Sequence, residues 1–554
     1  MTPEAELDRI FPLGPDSLPQ PGVPAGCLAK HTLAASRIYP GTVRDYWIYI
    51  PVQYDPARAA AVMIVQDGWD HIRTERRWRM PVIFDNLIHQ RAIPVSIGIF
   101  INPGIIPATR DGAPERTQRS FEYDRTDDRY ARFLLEDILP AVAACYHLAT
   151  DGNSRMLLGG SSGAFCAFNA AWHRPDAFRR VFSCVGSYTG LRGGHQAASL
   201  VRLCEPKPLR LFLEGGGEDL NCYAGDWWTA NTAMLSALHY AGYEVNHAWA
   251  PQAGHNDYHG SAIFPDALRW LWQDYPAPVE TGVNSRQPIV SLTVPGAGWR
   301  CANDTLVHVT HLAAGPAGEI FFTREDDPQI YQLRDTSDST VWARTTAPVG
   351  AIAVATDGRL FAAHPSSRRI VALDSAGKEK TLLDDIATES LSVGPDGSLY
   401  VADADHRLWL IKPGGPRQLL TLPNARPHRV CLTADGSQLL VSEAAAPVAW
   451  QCSVQADGTL AHPEPNYRFI TSEDASAQSA GDIATHHKRW SFFVTCHGLQ
   501  LADHDGRIIG LFNSPAPGSL NGVALGGPQQ DELLITCGGK IYRRPLRSPE
   551  HLWQ

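Results

Sequence analysis

The chain has 554 residues, 44% hydrophobic and 19% charged, a balance that supports large buried cores and excludes bulk disorder. A formal net charge of -10 gives no electrostatic reason to bind nucleic acid or an anionic membrane. No apolar run approaches the roughly 18–20 residues that span a bilayer, and the length exceeds one ordinary core, so at least two domains are expected.

The start, Met1-Thr2-Pro3-Glu4-Ala5-Glu6, lacks the basic and then apolar order of a signal peptide. The chain as given therefore reads as cytoplasmic, or as periplasmic or secreted if a signal peptide has been removed. The 11 cysteines form no CxxC pair and no zinc-spaced set with His, and they read as reduced thiols. Residues 1–35 read as an N-terminal extension.

From residue 36 to about 275, short apolar runs alternate with amphipathic stretches. Ala61–Gln66, Val95–Asn102, Arg155–Leu158, Val181–Ser183, Leu209–Leu213 and Val245–Ala250 read as buried strands. Asp127–Cys145, Ala164–His173 and Trp227–Ala241 read as helices. Such alternation predicts a mostly parallel sheet with helices on both faces, an α/β-hydrolase type of layer.

Residues 276–288 (PAPVETGVNSRQP) are rich in turn formers and read as a linker. From 289 to 554 one unit recurs, a turn followed by a short strand. Its copies are Gly318–Thr323, Gly358–Ala363, Gly397–Ala402, Gly436–Ser442, Arg489–Thr495 and Asp531–Thr536. An all-β unit with a period of about 40 predicts propeller blades, and its recurrence predicts a six-bladed β-propeller.

The chemistry-bearing motif lies in Gly159-Gly160-Ser161-Ser162-Gly163, a G-x-S-x-G between a strand and a helix of small residues. A nucleophilic serine on a sharp strand-to-helix turn needs glycine on both sides, and the helix N-terminus aims free N–H groups at the reacting centre. Ser161 then needs a base and an orienting acid, in the order serine, acid, histidine. Asp219 is the expected acid, with Glu214, Glu218 and Asp226 as rivals. His255, which follows Gly254 in a loop, is the expected base, with His259 as rival. Two backbone N–H donors must hold the oxyanion. Ser162 is one; Gly68 or Trp69, in the loop after Ala61–Gln66, is the other. Arg119 and Glu122 are candidates for lining the substrate pocket, and Trp69, Trp227 and Trp228 for stacking on a sugar or an aromatic acyl group.

Several motifs agree in order with a known group: Asp67-Gly68, Arg119-Ser120-Phe121-Glu122-Tyr123-Asp124, Gly160-Ser161-Ser162-Gly163, Gly225-Asp226-Trp227-Trp228 and Gly254-His255 with His259-Gly260. Together, from about Ser36 to Trp272, they resemble the enterochelin-esterase and esterase-D-like hydrolases, a superfamily that includes feruloyl and acetylxylan esterases of carbohydrate esterase family 1. The resemblance implies a triad at Ser161, Asp219 and His255 and no cofactor. The second half resembles the senescence-marker-protein and gluconolactonase propellers, whose resemblance implies one divalent metal held by Glu, Asn and Asp. This sequence departs from that pattern. His311-Leu312-Ala313-Ala314-Gly315-Pro316 has no Glu before Gly-Pro, Pro427-His428-Arg429 stands where Asn-Gly is usual, and Gly481-Asp482 reverses a usual Asp-Gly. Asp482 and Asn521 alone make a poor oxygen site, so no metal is expected and the propeller reads as a lactonase relic.

The expectation is a serine carboxylic-ester hydrolase acting on small-molecule or carbohydrate esters, acetyl or feruloyl, without nucleic-acid or membrane partners. Competing readings are a metal-dependent sugar lactonase working from the propeller, a siderophore-type lactone esterase, and a binding scaffold without catalysis.

Overall fold

The computed structural model describes residues 3–303, 305–334, 339–471, 481–487, 490–516 and 518–547. The chain divides into two compact units, the first running essentially to Asn284 and the second from Ser285.

The first unit is built on an eight-stranded sheet. Its strands are β1 (Cys27–Leu33), β2 (Arg44–Ile50), β3 (Ala61–Gln66), β4 (Ser96–Ile101), β5 (Arg155–Gly160), β6 (Arg180–Cys184), β7 (Arg210–Glu218) and β8 (Glu244–Gly254). Their spatial order is β1-β2-β4-β3-β5-β6-β7-β8. Pairing is antiparallel from β1 through β2 to β4 and parallel from there on. Strands β3, β4 and β6 are buried along their whole length, which is why they read as short, largely apolar stretches. Trp78, Phe84, Phe100, Phe182 and Phe264 lie in one core cluster that includes residues of the sheet and of the segments packed on it.

Helices α1 (Pro3–Ile10), α2 (Gly68–Ile72), α3 (Met80–His89), α4 (Arg119–Tyr123), α5 (Ser162–His173), α6 (Trp227–Ala241) and α7 (Asp257–Leu271) surround the sheet. The strand order and the sharp β5–α5 turn are those of the α/β-hydrolase fold. The helix expected over Asp127–Cys145 runs without a break over 129–143, as Arg129–Phe133, a wider turn over Leu134–Ile138, and Leu139–Ala143.

The N-terminal segment, residues 1–35, contributes to the first unit. Strand β1 pairs with β2 residue for residue, and Phe11 packs with Ala250 and Ala253. β1 is an edge strand that is largely exposed, so its place in the sheet rests on backbone hydrogen bonds and leaves no apolar pattern to read.

The second unit has six four-stranded antiparallel sheets. Five are contiguous in sequence, from Val309–Ala314 to Ser339–Arg344, Ala351–Val354 to Glu379–Leu383, Thr388–Val393 to Arg417–Leu420, Pro427–Leu432 to Leu460–Arg468, and Ile483–Thr485 to Ile508–Phe512. The sixth joins the last three strands, Leu520–Gly526, Glu532–Cys537 and Lys540–Pro545, to Arg300–Cys301 at the start of the unit. Each innermost strand touches the next, and Leu520–Gly526 touches Val309–Ala314, so the ring closes as a six-bladed β-propeller. The repeated unit is the second strand of each blade. Gly318, Gly358, Gly397 and Gly436 precede it at φ values of 84, 82, 81 and 67°, which explains why glycine recurs there. Arg489 lies outside the described residues, and the strand after it is Ser491–Thr495.

Candidate active site

The site is built at the C-terminal ends of the parallel strands. Ser161 sits between β5 and α5 with φ 57° and ψ -124°, a conformation that side chains rarely adopt. Closeness of approach requires glycine at 159 and leaves little room at 163. A Cβ on Gly159 would meet the Gly163 carbonyl carbon at 2.3 Å, and one on Gly163 would meet Gln66 Cβ at 3.1 Å. The turn is held from the next strand end, because the Ser161 N–H donates to Cys184 O (2.9 Å) and the Ser187 N–H to Ser161 O (3.1 Å).

Ser161 Oγ lies 2.9 Å from His255 Nε2, and His255 Nδ1 lies 2.6 Å from Asp219 Oδ1. The Asp219 side chain is 1% exposed and also accepts the Leu220 N–H at 2.6 Å. A buried carboxylate on Nδ1 fixes the ring orientation and the tautomer that leaves Nε2 free to take a proton. Trp227 stands edge-on to the imidazole with ring centres 5.9 Å apart. Its Nε1–H donates to Ser187 Oγ (3.2 Å), which lies 3.3 Å from Ser161 Oγ. Trp227 therefore packs behind the imidazole and braces Ser187.

The rivals are placed elsewhere. Glu214 is buried and lies 2.6 Å from His259 Nδ1, while the Cys184 thiol donates to its other oxygen at 2.9 Å. Burial and then Glu214 push the Cys184 thiol well above its ordinary range, so it stays protonated as the donor. Glu218 is exposed, and Asp226 caps α6 by accepting the Thr229 N–H at 2.8 Å.

Asp67, at the end of β3, has φ 53°, and Gly68 follows so close to β4 that a Cβ would meet the Phe100 carbonyl carbon at 2.3 Å. The Asp67 carboxylate accepts two bonds from Arg119, at 2.9 and 2.8 Å. Burial alone would lower the Arg119 pKa, but the Asp67 carboxylate outweighs it and holds the guanidinium above its ordinary value. Ser162 and Gly68 each open a helix, where the N–H has no intrahelical acceptor, and both remain available to an oxyanion. Trp69 is corrected as a donor, since its N–H is taken by Asn102 Oδ1 at 3.0 Å. Its indole is 45% exposed beside Gly68 and tilts against Trp47 at 5.2 Å.

Two expected pocket residues have other work. Glu122 is fully buried and forms a two-pronged ion pair with Arg44 (2.7 and 2.8 Å), so no substrate reaches it. Arg119 holds the Asp67 carboxylate through Nε and Nη2 with its side chain 36% exposed, next to the loop that carries Gly68. Trp228 packs edge-on to Trp249 at 5.6 Å. Sequence reasoning missed Ser187 and Asn102, which sit just past strand ends and belong to no motif.

The propeller resemblance implies a divalent metal, and the residues present do not fit one. Asp482 offers a carboxylate, but its two oxygens accept the Ile483 and Val523 N–H groups at 3.1 and 3.2 Å. Arg429 stands on the same cavity wall and Asn521 is not part of it. Among the described residues no group of three or more His, Cys, Asp or Glu is placed to hold a metal, and no helix is long and apolar enough to cross a membrane.

Residues 39–258 match the family model described as "Putative esterase", and residues 313–539 match the SMP-30/gluconolactonase/LRE-like region. No curated protein matches the sequence. Among solved structures, a gluconolactonase from Xanthomonas campestris is 19% identical, with a TM-score of 0.41 over 47% of this chain and 93% of that one. An enterobactin esterase from Shigella flexneri is 21% identical, with a TM-score of 0.37 over 47% of this chain and 63% of that one. This chain thus spans less than two thirds of that esterase. A ferulic acid esterase is 15% identical, with a TM-score of 0.36 over 45% of this chain and 99% of that one. By the two family models, the chain joins an esterase-like domain to a gluconolactonase-like β-propeller.

Proposed function

We propose that the first unit is a serine carboxylic-ester hydrolase working through an acyl-enzyme. The observation that carries this reading is the continuous chain from Ser161 Oγ to His255 Nε2 at 2.9 Å and from His255 Nδ1 to Asp219 at 2.6 Å, on a turn with a positive φ at Ser161. His255 takes the Ser161 proton as Oγ attacks the ester carbonyl carbon. The oxyanion is held by the N–H groups of Ser162 and Gly68. Collapse breaks the ester C–O bond, and His255 gives its proton to the departing alcohol. Water, deprotonated by His255, then attacks the acyl-Ser161 carbonyl, the bond to Oγ breaks, and His255 returns the proton to Ser161 Oγ as the acid leaves.

The substrate in this reading is an acetyl or feruloyl ester of a carbohydrate. The exposed indole of Trp69, next to the oxyanion glycine, offers a flat face to a sugar or an aromatic acyl group. The test is Ser161→Ala assayed on p-nitrophenyl acetate, acetyl-xylan, feruloyl-sugar and a catecholate trilactone. Turnover is expected to vanish on every ester that the parent hydrolyses. Undiminished turnover in the variant would overturn the reading.

A further inference from the structure

The turn after β6 carries a hydroxyl that the acyl-enzyme scheme leaves unused. Ser187 is 2% exposed, and its Oγ lies 3.3 Å from Ser161 Oγ. Backbone strain accompanies this placement. Val185, two residues earlier, has φ 43°, a conformation that a β-branched residue rarely adopts. A Cβ on Gly186 would press on Tyr188 Cε2 at 2.6 Å and Ser183 Oγ at 2.7 Å. One face of helix α6 grips the turn, since Asn231 Nδ2 donates to Gly186 O (2.8 Å) and Trp227 Nε1 to Ser187 Oγ (3.2 Å). The Ser187 N–H donates to Ser161 O (3.1 Å), which ties the two serines together through the backbone as well.

The neighbouring groups fix the direction of the contact between the two hydroxyls. An indole N–H only donates, so Ser187 Oγ accepts from Trp227 and its own proton points elsewhere. In the neutral imidazole, His255 Nδ1 gives its proton to Asp219, so Nε2 accepts the Ser161 proton. Ser161 has no second proton to give. The remaining bond therefore runs from the Ser187 O–H to Ser161 Oγ. Among the described residues, Ser187 Oγ has no partner besides Trp227 and Ser161.

We infer that Ser187 is a further catalytic residue, a neutral hydrogen-bond donor to the attacking and departing oxygen of Ser161. The inference rests on the esterase reading of the Ser161 site. In acylation, the Ser161 proton passes to His255 Nε2 while the bond from Oγ to the carbonyl carbon forms. In deacylation, that bond breaks and His255 returns the proton to Oγ. In both transition states Oγ carries negative charge that neither the resting hydroxyl nor the acyl ester carries, and the bond from Ser187 strengthens there. Ser187 keeps its own proton throughout. A resting separation of 3.3 Å leaves room for the bond to shorten as charge develops. The Ser162 and Gly68 N–H groups serve the former carbonyl oxygen, so Ser187 acts on a different atom.

The test is Ser187→Ala in the full-length protein, with competent sites counted by complete fluorophosphonate labelling, in which Ser161 Oγ displaces fluoride from phosphorus. On p-nitrophenyl acetate, kcat per labelled site should fall about tenfold or more with KM within about twofold, and the rate of labelling should fall by a similar factor. Because the donor acts on the serine oxygen, phenyl acetate and p-nitrophenyl butyrate should lose the same factor within about threefold, which a residue touching the alcohol or the acyl group would not give. Trp227→Phe keeps a ring and removes the N–H that orients Ser187. It should slow the parent but add little to Ser187→Ala, because the two act through one bond. If Ser187→Ala does not fold, Ser187→Cys, which fills the space with a weak donor, serves with the same loss expected. Turnover that survives Ser161→Ala would overturn the esterase reading and this inference with it. Four results would overturn the inference alone: a smaller kcat loss, a loss carried by KM, a loss that changes with the ester, or losses from Ser187→Ala and Trp227→Phe that multiply in full.

Discussion

Two buried carboxylates end close to the nucleophile, each with its own imidazole, and replacing them one at a time separates the reacting pair from the scaffold pair. Asp219→Asn keeps the size of the side chain and removes its charge. In the parent, Asp219 Oδ1 takes both the His255 Nδ1 and the Leu220 N–H bonds at 2.6 Å. Its Oδ2 is buried without a partner, and the Leu220 N–H favours the amide oxygen at the Oδ1 position in the variant. If Nδ2 faces His255, the ring must carry its proton on Nε2 and cannot accept one from Ser161. If the amide oxygen faces it, the imidazolium formed on attack loses its counter-charge, and charge-assisted bonds are roughly twice as strong as neutral ones. The same change in serine-protease triads costs about 10⁴ in kcat. We expect a kcat loss of about 10³–10⁴, or about 4–5.5 kcal/mol of barrier, with KM within a few-fold. Glu214→Gln, which disturbs the Glu214–His259 pair, should lower the melting temperature but keep kcat within about tenfold. The assay is p-nitrophenyl acetate hydrolysis followed across pH, with thermal melts of both variants. A loss near 10³ for Glu214→Gln, beside an Asp219→Asn enzyme within tenfold of the parent, would refute the assignment of the acid.

Three further outcomes follow from the packing and charges. Gly68→Ala would bring a Cβ against Phe100 and Ile101 backbone atoms at 2.3 and 2.5 Å, so the oxyanion loop must move; kcat should fall about 10²-fold or more at nearly constant KM, and full turnover would remove Gly68 from the site. Arg44→Met strands the buried Glu122 carboxylate and should cost about 3–5 kcal/mol, read as a lower midpoint in urea unfolding, while the folded fraction keeps its KM. Burial raises the Asp482 carboxyl pKa from 3.8 to about 6, against a smaller lowering by Arg429. The native state therefore holds this proton more tightly than the unfolded chain, and ionisation costs stability above pH about 6. The stability of Asp482→Asn relative to the parent should be most favourable near pH 8 and decline as pH falls from about 6 toward 4, a trend that urea melts at several pH values would show or deny.

The sequence by itself determined whatever local physics writes into neighbouring residues. The parallel strands are largely apolar because both faces are covered, four of the blades carry a glycine at positive φ before the repeated strand, and the elbow is legible because a side chain at Gly159 would strike the backbone of the turn. Chain order after Ser161 narrows the acid and the base to a few candidates, of which Asp219 and His255 are the expected pair. Only the tertiary structure decided what depends on groups far apart in sequence. It joined Glu214 to His259, turned Glu122 inward to Arg44, and gave the Trp69 N–H to Asn102. It also placed β1, an exposed edge strand whose pairing is carried by backbone groups common to every residue. Side-chain chemistry names the candidates, but partner choice is settled by burial, since a charge withdrawn from water must be matched by whichever group the fold brings beside it.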